Sequence, residues 1–405
     1  MESIRSHFFR RGVCLACAAV LLLTIVTPAA RAAGPEDAAS ETQQLTYADA
    51  AGMAEADKAI AALTGGAGYD ALDADGRADA AGALLESLAA DGLVQPGSLC
   101  LDAENGMYSF TYDCGVLGGI LLADPDDEAG IDAGPIDAAG IPAALADPIG
   151  AENDVLPVGN AIVYYAFDDT TNSNRWPYYT IMQEYWNEWG LATTIDSEVT
   201  VADLRHMDDY DLCVLSAHGA YYSYNAGWLF RRVKTAPIVI LQEESSFWDD
   251  LRYGIDLLTH RVIKVSGRYC VTPDFFRAAY RGGKLNGNII FSETCEFFGG
   301  GNMVDLAMSA ALLDGGARAV VGFVNTVYAI YARNMLWGTV NQLITGQNIL
   351  QAVDAAAATY GVDDIAWYLS QGGATPHRYA AFALIHGDDT AALYTLPAAD
   401  APAAA

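Results

Sequence analysis

Two residues of this sequence have the type and setting that thiol chemistry requires. Cys295 follows an apolar run at 288–292, and His218, followed by Gly219, follows a second apolar run at 212–216. Short apolar runs are typical of buried strands, and open α/β sheets hold their ligands beyond the carboxyl ends of such strands. There a thiolate can attack a carbonyl, an imidazole can move the proton, and backbone N–H groups can hold the oxyanion. The pattern predicts nucleophilic catalysis by a cysteine.

The elements that must position these two residues alternate between strand and helix from residue 160 onward. Apolar runs predict strands at 161–167, 212–216, 288–292, 317–323 and 380–385. Helical spacing predicts helices at 176–189, 303–313, 328–344 and 349–358. Between residues 218 and 288 lies a long excursion with short strand-like segments and helical stretches at 247–258 and 273–280. This order predicts an α/β fold, with a mostly parallel sheet flanked by helices on both faces.

The first 33 residues have the three parts of a secretory signal. Arg5, Arg10 and Arg11 form a basic start, residues 13–26 form an apolar centre, and Ala30 and Ala32 are small residues at the cleavage site. The apolar centre is too short to span a bilayer comfortably. We therefore expect residues 1–33 to be removed and the product to be secreted or at the cell surface, with no membrane span in the mature chain.

The exported chain divides into three further segments. Residues 34–122 predict a small N-terminal α+β region, with helices at 44–63 and 74–90 and a β-hairpin at 107–122. Residues 123–159 are rich in Asp, Ala, Gly and Pro, lack aromatic residues, and predict a flexible acidic linker. Residues 160–397 form the predicted α/β domain. One hypothesis is that 34–122 is a propeptide that covers the site until the linker is cut.

The net charge of the chain limits the classes of molecule that it is expected to bind. The formal net charge is -30 at pH 7, which repels nucleic acid and anionic lipid and attracts basic substrates or cations. We expect protein or peptide substrates and no nucleic acid. Thiol catalysis requires no cofactor, and no Cys or His spacing indicates zinc, so no metal site is predicted. Calcium would suit the charge, although the sequence shows no ligand set for it.

Five cysteines remain after removal of the signal peptide: Cys100, Cys114, Cys213, Cys270 and Cys295. An odd number in an exported protein indicates a free thiol. Cys100 and Cys114 lie close together in the sequence, and a disulfide between them is left open. Cys213 lies inside an apolar run and is expected to be a core residue. Cys295 alone is followed by a glycine-rich loop.

The His-Gly and Cys residues after two apolar strands resemble the caspase-like (clan CD) cysteine peptidases, which include caspases, legumain, gingipains and clostripain. Glu293-Thr294-Cys295-Glu296 is similar to the Glu-Ala-Cys-Glu of legumain, and residues 316–322 and 387–388 look like bacterial gingipain-type members. The resemblance covers roughly residues 160–390. It implies a caspase-like fold, Cys295 as the nucleophile, His218 as the general base and acid, and an oxyanion hole formed by the N–H groups of Gly219 and Cys295.

Two further roles stay open: one is suggested by the resemblance and the other by residue type. Asn172 and Asn174 are candidates for orienting His218, because legumain has such an asparagine in that region. Candidates for a substrate pocket that takes a basic side chain are acidic: Glu243, Glu244, Glu293 and Glu296. The His-to-Cys separation exceeds the roughly 50 residues of caspases, so the extra segment must form an insertion, and a specificity pocket or a lid is one hypothesis for its role.

The preferred residue before the scissile bond also stays open. Similarity to legumain points to Asn or Asp, and similarity to gingipains points to Arg or Lys. Two alternative functions remain beside an endopeptidase. One is a catalytically silent, secreted binding protein on the same fold, and the other is a transpeptidase.

Overall fold

The computed structural model describes residues 44–122, 158–166, 178–226, 232–370 and 379–394. Its strands in chain order are β1 (Cys100–Asp102), β2 (Met107–Thr111), β3 (Leu117–Leu121), β4 (Gly159–Tyr165), β5 (Leu191–Asp196), β6 (Leu212–Ser216), β7 (His218–Asn225), β8 (Val233–Glu244), β9 (Val262–Val265), β10 (Arg268–Val271), β11 (Ile289–Ser292), β12 (Ala319–Val324) and β13 (Phe382–Gly387). Its helices are α1 (Tyr47–Thr64), α2 (Ala67–Asp70), α3 (Ala74–Ala90), α4 (Tyr178–Glu188), α5 (Phe247–Arg252), α6 (Gly254–Leu258), α7 (Pro273–Ala279), α8 (Ala307–Asp314), α9 (Ala329–Ile344), α10 (Ile349–Tyr360) and α11 (Ile365–Ser370). The predicted signal peptide, 1–33, and nearly all of the predicted linker, 123–159, lie outside the described residues.

A six-stranded sheet carries the strands that sequence patterning had indicated. Its order is β13-β12-β11-β6-β4-β5. All neighbours run parallel except β13, which pairs antiparallel with β12 at one edge. Strands β6, β11 and β12 are buried along their whole length, because both faces of a parallel sheet are covered. The predicted α/β class with a mostly parallel, helix-flanked sheet is confirmed.

Alternate residues of the central strands pack into two different cores. Val163, Val214 and Phe291 face a core formed with α4, α9 and α10. Ile162 and Ile290 face the opposite core, which includes side chains of α1, α3, α7 and α8. Strand side chains alternate with a period of two, so each apolar strand contributes to both cores. This packing holds the carboxyl ends of β6 and β11 at a fixed separation.

A second sheet has seven strands in the order β1-β2-β3-β9-β10-β8-β7. Only β3 and β9 pair in parallel. The sheet curls until β7 contacts β1 and β2, where Ser109 Oγ donates to Ser223 O and Ser223 Oγ donates to Asp102 Oδ2 at 2.6 Å. The sequence predicted only short strand-like segments between residues 218 and 288 and missed this sheet. Its three N-terminal strands join it from a distant part of the chain, and local patterning does not reveal such pairing.

A buried ion cluster connects the N-terminal helix α1 to the second sheet. Lys264 of β9 places its Nζ 2.6 Å from Asp57 of α1 and 2.7 Å from Asp250 of α5. The tyrosine hydroxyls of Tyr112 and Tyr269 donate to Asp57 and Asp250 respectively. A buried charge is tolerated only when it is paired. Residues 44–122 are therefore joined to the rest of the structure both by strand pairing and by this cluster.

One local prediction differs from the structure, and one open question is answered by it. The helix predicted at 303–313 begins later, at Ala307, because Asp305 N–H donates to Phe298 O and Asp305 Oδ1 accepts the Ala307 N–H. The structure forms no disulfide between the described residues Cys100 and Cys114, the pair that the sequence left open. Cys213 is fully buried, as its place in an apolar run predicted.

Candidate functional site

Cys295 and His218 follow adjacent parallel strands. The register pairs Ser292 of β11 with Leu215 of β6, and Glu293 N–H donates to Leu215 O at 2.9 Å just beyond that pair. The segments that follow β6 and β11 therefore leave the six-stranded sheet side by side. After Ser216 only one residue intervenes before His218 begins β7 of the second sheet. The structure thus places His218 where the chain passes from one sheet to the other.

Gly219 lies directly against the main chain of the cysteine loop. A Cβ atom on Gly219 would lie 2.1 Å from the carbonyl oxygen of Cys295 and 2.3 Å from Thr294 Cγ2. Neither distance is compatible with a side chain, so glycine is required by close approach of two backbones. The His218-Gly219 and Thr294-Cys295 segments are thus in direct contact.

The Cys295 thiol is half-buried and contacts the segment that follows β12. Val327 N–H donates to Cys295 Sγ at 3.4 Å, and the same sulfur lies 3.6 Å from Val327 O. These two backbone contacts fix the sulfur against the segment that follows β12. The apolar surroundings come from the core that contains α9. The thiol is therefore held in place while part of it stays accessible.

A buried polar cluster, here called the Glu293 cluster, lies at the same strand ends and consists of Glu293, Tyr179, Ser216 and Arg333. Tyr179 OH donates to Glu293 Oε2 at 2.7 Å, contacts Ser216 Oγ at 2.5 Å, and accepts from Arg333 Nε at 3.2 Å. Arg333 also lies over the Tyr179 ring, 5.7 Å from its centroid. The cluster connects β6 and β11 to α4 and α9, two residues before His218 and Cys295.

The electrostatics of this cluster are set by burial. Glu293 is only 6% exposed, and burial raises its pKa while the Arg333 charge and the hydrogen bonds from Tyr179 and Ser216 oppose the rise. Burial and the nearby Glu293 charge raise the pKa of Tyr179. Glu293 Oε1 is buried and accepts no hydrogen bond from any described residue. One carboxylate oxygen of the cluster is thus left without a donor from the described part of the chain.

The structure brings four of the predicted site residues together: Cys295, His218, Gly219 and Glu293. Glu243 at the end of β8 is used elsewhere. Its Oε2 accepts the Val201 N–H at 2.8 Å and its Oε1 accepts Tyr253 OH at 2.9 Å, and burial raises its pKa. Both of its oxygens stabilise the fold, so Glu243 is not carried into the proposal below. The predicted His-orienting residues Asn172 and Asn174 lie outside the described residues.

Sequence reasoning missed Arg333 and Tyr179. Arg333 is the only charged residue within α9, a helix whose side chains are nearly all buried, and a lone charge in such a helix indicates a buried partner. Tyr179 belongs to α4, which is rich in aromatic residues. Trp186 of this helix packs by stacking on Trp337, but the Tyr179 hydroxyl joins the Glu293 cluster. Nothing local in the sequence marks that hydroxyl.

Two further properties of the described residues limit the site. No group of three or more His, Cys, Asp or Glu side chains among them is arranged to hold a metal ion. None of the helices in that part of the chain is long and apolar enough to cross a membrane.

Comparison of the sequence with models of protein families found no match, and comparison with curated proteins found none either.

Proposed function

We propose that the protein is an exported cysteine endopeptidase with a caspase-like α/β domain. The observation that carries this proposal is the direct contact between Gly219 and the main chain of Cys295. This contact brings the segment that carries His218 against the segment that carries the proposed nucleophile. A parallel sheet that ends in Cys and His on adjacent strands supports the resemblance to clan CD peptidases.

The proposed reaction proceeds through a thioester. The Cys295 thiolate attacks the scissile carbonyl, and the N–H groups of Gly219 and Cys295 stabilise the oxyanion. His218 gives its proton to the leaving amine as the C–N bond breaks. His218 then takes a proton from water, whose oxygen attacks the thioester and releases the carboxylic acid and the thiolate. The peptide substrate and one water molecule supply all the atoms of the products, and the chemistry uses no cofactor.

The Glu293 cluster supports a polar pocket for the side chain before the scissile bond. Its buried Glu293 Oε1 can accept a hydrogen bond, which fits the side chains of Asn, Arg or Lys. An ionised Asp side chain has no donor to offer this oxygen. The nearby positive charge of Arg333 partly offsets the negative charge of the Glu293 carboxylate. We therefore propose a polar pocket rather than a strongly acidic one. Export through the signal peptide at 1–33 remains part of the proposal.

The proposal is tested by the reactivity of the thiol. Full-length protein and its His218→Ala variant are treated with iodoacetamide at neutral pH, and labelling of Cys295 is followed by mass spectrometry. An activated thiolate reacts faster than a buried thiol, so Cys295 should react first in the parent and more slowly in the variant. Equal, slow labelling in both proteins would favour a silent binding protein. In a separate assay with a peptide substrate and an added amine, products in which the amine is joined to the peptide would instead identify a transpeptidase.

A further inference from the structure

The main chain directly after Cys295 adopts a conformation that needs support. Glu296 has a φ of 55° and Asn302 a φ of 61°, in the left-handed region where a Cβ atom crowds the backbone. Such residues keep this conformation only where the surrounding structure holds them. Part of that support is local, because Gly299 N–H donates to Glu296 O at 2.9 Å. The rest comes from the residue that follows β12.

Asn325 makes four hydrogen bonds to the loops around the cysteine. Its carbonyl oxygen accepts the Glu296 N–H at 3.0 Å, and its N–H donates to Gly299 O at 2.8 Å. Its side-chain Oδ1 accepts the Asn302 N–H at 2.8 Å, and its Nδ2 donates to Ala380 O at 2.9 Å. One residue therefore connects both ends of the glycine-rich loop to the segment that leads into β13.

The residue type fits this position for two reasons. Asn325 has a φ of 70°, and asparagine tolerates the left-handed region better than most residues. Its amide also supplies an acceptor and a donor in one planar group. The side chain is 3% exposed, so its removal would leave the Asn302 N–H and the Ala380 carbonyl without these partners in a buried setting.

The same segment also contacts the nucleophile. Two residues after Asn325, the Val327 N–H donates to Cys295 Sγ at 3.4 Å. Residues 325–327 thus hold the sulfur atom itself and the N–H of the residue that follows it. A shift of this segment would move the thiol and the Cys295 backbone together.

We propose that Asn325 is a positioning residue for Cys295. This proposal rests on the proposed function, since it concerns how the nucleophile is held for attack. Asn325 does not touch the substrate. It keeps Glu296 in its left-handed conformation and fixes the segment whose Val327 N–H meets the sulfur.

The test compares two buried asparagines at opposite strand ends of the six-stranded sheet, since Asn325 follows β12 and Asn288 precedes the neighbouring parallel strand β11. Asn325→Gly keeps the left-handed φ without strain and removes both side-chain hydrogen bonds. Asn288→Ala is the control, because Asn288 is also 3% exposed and donates to the Met207 carbonyl at 3.0 Å, before the start of β11. For parent and both variants, the measurements are the Tm, the pH profile of Cys295 alkylation by iodoacetamide, and kcat and KM on a peptide substrate.

Asn325→Gly should lower the alkylation rate and kcat by about tenfold or more, with a smaller effect on KM, since displaced reacting groups lose rate. Asn288→Ala should lower the Tm comparably and leave both rates near those of the parent. Equal rates in Asn325→Gly and the parent, or equal losses in both variants, would overturn the positioning role. A parent that cleaves nothing would refute the proposed peptidase, and the alkylation profiles would then decide the role of Asn325 by themselves.

Discussion

Gly219 shows how a single residue allows two segments, those of His218 and Cys295, to approach each other closely. The structure gives a steric reason for glycine at this position. A Cβ at this position would lie 2.1 Å from the Cys295 carbonyl oxygen. The backbone must move to accept any side chain, and the His218 and Cys295 segments would then separate.

Gly219→Ala should therefore lower kcat/KM by about 100-fold, because small displacements at the reacting atoms are costly. Overpacking should lower the free energy of unfolding by about 1–3 kcal/mol. The control is Gly68→Ala, since a Cβ on Gly68 meets nothing within 4 Å. Steady-state kinetics and urea unfolding of both variants check the prediction. Parent-like kinetics in Gly219→Ala would show that this contact does not position the site.

Glu293 makes a pH dependence testable. Its pKa in the folded state is raised above the ordinary value of 4.5. A raised folded-state pKa contributes stability below the unfolded value, and this contribution is lost as the pH rises through the folded value. The free energy of unfolding of the parent minus that of Glu293→Gln should therefore decrease from acidic to neutral pH. An increase would mean that the Arg333 charge outweighs burial.

Some site residues could be found from the sequence and others could not. Cys295, His218 and Glu293 were predictable because apolar strands end next to them. Asn325 also follows an apolar strand, but its role depends on four hydrogen bonds to loops. Loop contacts of this kind leave no periodic signal in the sequence. Arg333 did leave one, as the only charge within a helix whose side chains are nearly all buried.

At the scale of elements, the parallel strands were the most predictable part of the fold. The predicted strand at 212–216 matches β6 (Leu212–Ser216), and that at 288–292 differs from β11 (Ile289–Ser292) by one residue. Fully buried strands are continuous apolar runs, which sequence patterning detects well. The curled sheet was missed because β2 and β7 meet through Ser109 and Ser223, which are far apart in the chain.

Helix α9 is linked to β11 by the Glu293 cluster. The contribution of this link to the free energy of unfolding can be measured. Arg333→Met leaves the Glu293 carboxylate buried without the opposing charge and should lower the free energy of unfolding by about 3–5 kcal/mol. The double variant Arg333→Met with Glu293→Gln removes both charges and should lose less than the single variant. Denaturant unfolding of the parent, both single variants and the double variant measures the coupling. A double variant that loses the sum of both would contradict a charge-coupled cluster.

At the scale of the whole molecule, the N-terminal region contributes to the second sheet. Strands β1–β3 belong to that sheet, and Lys264 pairs with Asp57 of α1 as well as with Asp250. The propeptide hypothesis would require this region to leave the site after the linker is cut. Strand pairing and a buried ion cluster both oppose its release.

Cleavage within 123–157 should therefore leave the two fragments associated. A specific protease site placed in this segment of a Cys295→Ala protein allows a controlled cut, and size-exclusion chromatography then reports whether 44–122 co-elutes with the larger fragment. Lys264→Ala is the matched variant, because it leaves Asp57 and Asp250 without their cation, and its fragments should separate at lower urea. If the fragments of both the parent and the Lys264→Ala protein separate in buffer alone, a removable propeptide is favoured.

The peptidase proposal is tested most directly by product analysis. Purified full-length protein and its Cys295→Ala variant are each incubated with an unstructured test protein under reducing conditions, with and without calcium, and the peptides are identified by mass spectrometry. Cleavage by the parent alone is the predicted result, with Asn, Arg or Lys before the new termini if Glu293 lines the pocket. No cleavage by either protein, or equal cleavage by both, would contradict Cys295 as the nucleophile of a peptidase.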